Sequence, residues 1–212
     1  MRKISRMLAQ FEYMVVSCFD IRKEDIDYVL SSFWSERNRQ FDCLKKEPDF
    51  SRLYPATYLP GTESVMELLL FSPGTSDGVS VMMSNSEDGW ASLAYVVTSR
   101  IPGACFQFAI SHDTSEYARF AFSKIVNGKT VRYVSAMQDP KWVFFEEGMP
   151  IDEEDPAQYR KRRVSDRLTA GYLYSLAGKL GFEFLSDEFW ASEQQAYHYI
   201  EITSKGIGES NR

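Results

Sequence analysis

Histidine is scarce in this chain of 212 residues, which holds only His112 and His198, and neither belongs to an HExxH or HxxxH pattern. A zinc site would have to gather carboxylates or thiols from distant segments, so no metal and no cofactor is expected. Cysteine is scarce too. Cys18, Cys43 and Cys105 are odd in number and widely spaced, which excludes a disulfide framework or a CxxC knuckle. Cys18 and Cys105 fall in apolar stretches and read as reduced, buried thiols. The GxSxG turn of a serine hydrolase is missing. The stretch Pro73 to Gly78 lacks the Lys-Ser/Thr that a phosphate-binding loop places at a helix start, and reads as a hairpin turn. No apolar run approaches the ~18 residues of a membrane span. Gln10 and Glu12 interrupt the N-terminal run after Arg2, Lys3 and Arg6 too early for a signal peptide, so the chain reads as cytoplasmic. Positive charge is the minority sign, with 24 Lys and Arg against 30 Asp and Glu and a net charge of −6. A broad nucleic-acid or anionic-membrane surface is therefore disfavoured, whereas a basic protein partner is compatible.

What the chain does contain is a strong hairpin signal. Asn127-Gly128 lies between two alternating runs in Glu116 to Phe145, and a type I′ turn needs φ > 0 at both central residues. A two-residue loop without irregularity places Val126 opposite Lys129, Phe122 opposite Tyr133 and Phe120 opposite Ser135. One face then carries Phe120, Phe122, Val126, Val131, Tyr133 and Met137, and is the expected core side. The other carries Arg119, Ala121, Ser123, Ile125, Arg132, Val134 and Ala136.

Elsewhere, Phe11 to Cys18 reads as a first strand, followed by a helix capped by Asp20 with Ile26, Val29, Leu30, Phe33 and Trp34 on one stripe. Residues 37–64 lose all periodicity and read as an irregular excursion. Val65 to Phe71 is apolar enough for a strand buried on both faces, and Val79 to Met83 returns. Ser86 opens a second helix through Trp90, Leu93, Ala94, Val97 and Ile101, stopped by Pro102-Gly103. Strands follow at Ala104 to Ile110 and Trp142 to Phe145. Asp155-Pro156 starts a helix expected to run through Tyr159, to pause near Ser165 and to end at Gly181. Gln194 to Ile202 reads as a last edge strand. The expectation is an α+β fold, one domain over 1–203 with a flexible tail at 204–212, and a mostly antiparallel sheet with helices on one face.

Candidate chemistry is sparse. Cys105, His112 and Asp113 have the residue types of a thiol triad, but the first two lie at opposite ends of one strand, ~23 Å apart. Contiguous carboxylates at Glu146-Glu147 and Asp152-Glu153-Glu154-Asp155 sit at a helix entrance, where the helix dipole and solvation account for them better than a sugar cleft. Arg160-Lys161-Arg162-Arg163 follows and is expected to pair with them along the helix surface.

The order of features does resemble a known group. A capped helix over Trp90 to Ile101 is followed by a strand and the Asn127-Gly128-Lys129-x-x-Arg132 hairpin. Next come Trp142-Val143-Phe144-Phe145-Glu146-x-Gly148, an acidic linker, and a Tyr/Arg-rich helix closing on Leu180-Gly181. Over residues 87–181 this resembles the small bacterial immunity proteins encoded beside interbacterial toxins of contact-dependent and type VI secretion systems. The resemblance implies a non-enzymatic protein that binds and occludes a cognate toxin. Glu146, Glu147, Asp152, Glu153, Glu154 and Asp155 are the candidate partner-binding residues, because their charge would steer a basic cleft. The alternative is a small-molecule-binding or regulatory module with a pocket between the sheet and the 37–64 excursion. An enzyme using carboxylates or Cys105 is a third reading.

Overall fold

The computed structural model describes residues 8, 11, 13–50, 53, 65–76, 78–112, 115, 117–192 and 194–202. Among these, nine strands form one antiparallel sheet: β1 (Tyr13–Phe19), β2 (Phe41–Lys46), β3 (Glu67–Phe71), β4 (Ser80–Ser84), β5 (Ala104–Ser111), β6 (Arg119–Val126), β7 (Lys129–Asp139), β8 (Lys141–Glu147) and β9 (Ala196–Glu201). Their order across the sheet is β2-β9-β3-β4-β1-β5-β6-β7-β8. Four helices accompany them: α1 (Lys23–Glu36), α2 (Ala91–Arg100), α3 (Ala170–Lys179) and α4 (Asp187–Trp190). The α+β class and the antiparallel sheet with its hairpin are as expected.

The helices do not gather on one face. Leu68 and Leu70 of β3 pack with α1 and α2, whereas their neighbours Leu69 and Phe71 pack with α3 and α4. A strand presents successive side chains to opposite faces, so an unbroken Leu-Leu-Leu-Phe run needs apolar cover above and below. The same logic makes β1 and β4 the buried centre. On one side Ile26, Leu30, Trp34, Leu93 and Val97 form the cover; on the other, Leu173, Leu176, Phe184 and Phe189 do so.

Several local expectations shift. Asp20 does not cap α1; its carboxylate accepts a hydrogen bond from the Ala104 N–H and joins the ends of β1 and β5. The second helix starts at Ala91, because Gly89 and Trp90 both take positive φ and break the turn before it. Residues 155–169 are two 3₁₀ turns, Gln158–Arg160 and Val164–Asp166, rather than a helix. α3 begins only where the Thr169 hydroxyl accepts from the Tyr172 N–H at 3.2 Å. The excursion contains β2, which pairs with β9 from Phe41↔Glu201 to Lys46↔Ala196. The last strand is therefore interior and β2 is the edge. Most of 51–64, Asp113 and the tail at 204–212 lie outside the described residues.

The hairpin register also differs. Val126 does face Lys129, but Ile125 pairs with Thr130 and Lys124 with Arg132, so Val131 is an extra residue in β7. This β-bulge moves the rest of β7 by one position, and a one-residue slip exchanges its two faces. Phe122 consequently faces Val134, and Phe120 faces Ala136. The small, buried Val134 and Ala136 join Phe120 and Phe122 beneath α3. Tyr133 and Met137, which the regular register assigns to the core, turn to the opposite face.

Candidate functional site

The bulge creates the two features that distinguish this end of the molecule: a buried cation on one face and an uncovered apolar surface on the other. Arg132 follows the bulge and points to the α3 side, where its side chain is 1% exposed. A guanidinium there must have every N–H satisfied and its charge matched. Its Nε donates to Glu154 Oε1 at 2.9 Å, and Nη2 donates to Glu154 Oε2 at 2.9 Å and to Glu146 Oε2 at 3.1 Å. Nη1 donates to the carbonyls of Glu147 and Gly148 at 3.2 and 2.9 Å.

The Glu154 side chain is 0% exposed, and its remaining lone pairs accept from the Ile151 N–H at 3.0 Å and the Tyr159 hydroxyl at 2.7 Å. The Tyr172 hydroxyl donates to that of Tyr159 at 3.2 Å. Burial, and then the hydrogen bonds to Glu154 and Tyr172, push the Tyr159 phenol well above its usual range. For Arg132 burial opposes the charge, but the bonds to Glu154 and Glu146 outweigh it and raise the pKa. This arrangement is a pin: it anchors the segment after β8 to the sheet.

The pin divides the six acidic candidates. Glu154 is internal, and Glu146 is engaged with Arg132 although part of it remains exposed. Glu147, Asp152 and Asp155 are exposed and Glu153 is half-buried. Arg160, Lys161, Arg162 and Arg163 are exposed, and among the described residues none of them forms an ion pair with the acidic run. With 3₁₀ turns in place of a helix, the spacing that would bring those charges together is absent.

On the opposite face, α2 covers the turn end of the hairpin. Gly128 N donates to Thr98 Oγ1 at 3.2 Å, and the Tyr95 hydroxyl lies 2.7 Å from Thr130 Oγ1. Beyond that contact, no helix among the described residues is laid across this face of β7 and β8. Met137 pairs with Val143, Ser135 with Phe145 and Tyr133 with Glu147, so these side chains form one cross-strand patch. Val143 is 59% exposed, Phe145 51% and Met137 41%, and the Tyr133 and Phe145 rings stand 5.9 Å apart. The patch runs into a groove of about 510 Å³ bordered by Tyr13, Glu87, Arg119, Met137 and Asp139. The apolar alternation of Val143 and Phe145 was visible in the sequence; their exposure was not, because it depends on where the helices lie.

A second groove, of about 560 Å³, lies where α1 meets β2 and is bordered by Trp34, Asn38, Arg39, Phe41 and Tyr199. Trp34 stacks on Phe41 at 4.1 Å, and its buried indole Nε1 has no hydrogen-bond partner among the described residues. Arg39 is committed to Glu201 at 2.7 Å.

Of the thiol-triad candidates, Asp113 lies outside the described residues. Cys105 is buried beneath α2, and burial pushes its thiol and that of Cys18 well up, so neither is a poised nucleophile. Among the described residues no cluster of three His, Cys, Asp or Glu side chains could hold a metal ion, and no helix is long and apolar enough to cross a membrane. No family model, curated protein or solved structure matches the chain.

Proposed function

We propose that this chain is a non-enzymatic protein-binding protein of the bacterial cytoplasm, an immunity factor that seats a cognate toxin on the open face of β7 and β8 and occludes the toxin's active site. One observation carries the binding role: a contiguous patch of exposed Met137, Val143 and Phe145 side chains on paired strands. Large apolar side chains grouped on one surface mark interaction sites far more often than scattered ones do, and aromatic anchors dominate binding energy. The exposed carboxylates of Glu147, Asp152 and Asp155 follow in the chain and favour a basic partner. The toxin identity rests on the resemblance over residues 87–181 alone.

The test is a titration against the toxin encoded beside this chain's own gene. The paired change V143D/F145D is expected to weaken binding by roughly hundredfold. Reversing Asp152 and Asp155 is expected to slow association, with an effect that fades as salt is added. Undiminished affinity in the V143D/F145D protein, with its fold intact by circular dichroism, would remove the sheet face from the proposal.

A further inference from the structure

β8 ends the sheet, and among the described residues no backbone group outside β7 bonds to Lys141–Glu147, while the Glu147 carbonyl accepts from Arg132 Nη1 at 3.2 Å. An edge strand of this length with apolar side chains is a template for another strand, and proteins that must avoid pairing usually protect it with inward charges, proline or a covering loop. Proline occurs here only at Pro140, ahead of the strand.

The order of side chains along β8 identifies the occupant. Lys141, Val143, Phe145 and Glu147 share the open face, and Trp142, Phe144 and Glu146 share the other, where Trp142 and Phe144 pack on Phe120 and Tyr159. Against an antiparallel copy of itself centred on Phe144, the strand is self-complementary. Lys141 meets Glu147 of the second copy, Val143 meets its Phe145, Phe145 meets its Val143, and Glu147 meets its Lys141. Moving the centre by one residue to either side loses both ion pairs, and a two-residue shift opposes like charges or leaves ends unpaired. We propose that β8 is a homodimerisation edge: two copies of this chain pair their β8 strands about a two-fold axis through Phe144, joining two sheets into one.

A two-fold contact of this type uses the same patch on both subunits and closes on itself, so it does not propagate. Two Lys–Glu pairs and two Val–Phe pairs are made per dimer, each counted among the interactions that stabilise antiparallel neighbours. The pairing shares Val143 and Phe145 with the patch proposed above but engages them along the strand edge, leaving the open face of Tyr133 and Met137 uncovered, and it is read from the oligomeric state without the toxin.

A charge-exchange cycle tests the register directly. The full-length protein is examined by sedimentation equilibrium across a concentration series, as wild type, E147K, K141E and the double variant K141E/E147K. The wild type is expected to dimerise. Each single variant sets like charges opposite each other twice in the dimer and is expected to raise the dissociation constant roughly tenfold. The double variant restores both opposite-charge pairs with their signs exchanged and is expected to recover the wild-type constant, an outcome that a folding defect could not produce. A monomeric wild type at the highest soluble concentration would overturn the proposal. So would a dimer indifferent to both single changes, or single-variant losses that the double variant fails to repair.

Discussion

Arg132 and Glu154 show how little latitude a buried charge has. Each is enclosed, and each supplies the other's counter-charge. Replacing such a pair by apolar side chains can be neutral, but removing one partner leaves an uncompensated buried ion. Glu154→Ala is therefore expected to lower the unfolding free energy by about 3–5 kcal/mol, measured by urea denaturation. The loss should exceed that from Asp152→Ala or Asp155→Ala, whose carboxylates are exposed. Equal small losses at all three positions would show that the pin contributes no more than surface charge. Lys23 illustrates a milder version: its ammonium is buried, donates to Gln194 Oε1 at 2.7 Å and to the Gln195 carbonyl at 3.0 Å, and has its pKa lowered by desolvation.

At the level of elements, the β6–β7 hairpin is the unit on which the site depends. Asn127 and Gly128 have φ of 51° and 68°, as the turn type demands. A Cβ on residue 128 would also stand 2.8 Å from Ser99 Cβ of α2. Gly128→Ala thus combines a left-handed backbone cost of about 1–2 kcal/mol with a steric conflict between helix and turn. Its thermal midpoint is expected to fall by more than that of Gly78→Ala, where an added Cβ meets no atom within 4 Å. Similar midpoints for the two variants would mean that α2 does not press on the turn. The hairpin and its turn were readable from Asn-Gly and alternation, whereas the bulge was not. Either register gives each face an apolar share, and the choice is settled by the space under α3, which fits Val134 and Ala136 better than Tyr133 and Met137.

Across the whole molecule, two tyrosines on opposite faces of the sheet couple stability to alkaline pH. Tyr159 belongs to the pin and Tyr199 donates its hydroxyl to Asp27 on the α1 side. Burial first, and hydrogen bonds to carboxylates second, raise both phenol pKa values above the ordinary 10.0. The unfolded chain sheds these protons at lower pH than the folded one. Stability from this source is complete below about pH 10 and declines above it, by about 1.4 kcal/mol per pH unit for each tyrosine. Urea unfolding between about pH 9 and 11 checks the sign, and Y159F/Y199F is expected to flatten the decline. An unchanged slope in that variant would assign alkaline unfolding to other groups.

The amino-acid sequence by itself determined the net negative charge, the apolar stripes of α1 and α2, the Asn-Gly turn and the strands that require cover on both sides, because each is a sum over residues or depends on neighbours within a few residues. Tertiary structure alone decided which helices cover which face, that residues 41–46 form an edge strand, that Glu154 is inside while Asp152 and Asp155 are outside, and that Val143 and Phe145 are left uncovered. Those outcomes depend on contacts between segments far apart in the chain. A carboxylate or a phenylalanine has the same local signature whether the space beside it is later filled by protein or by water.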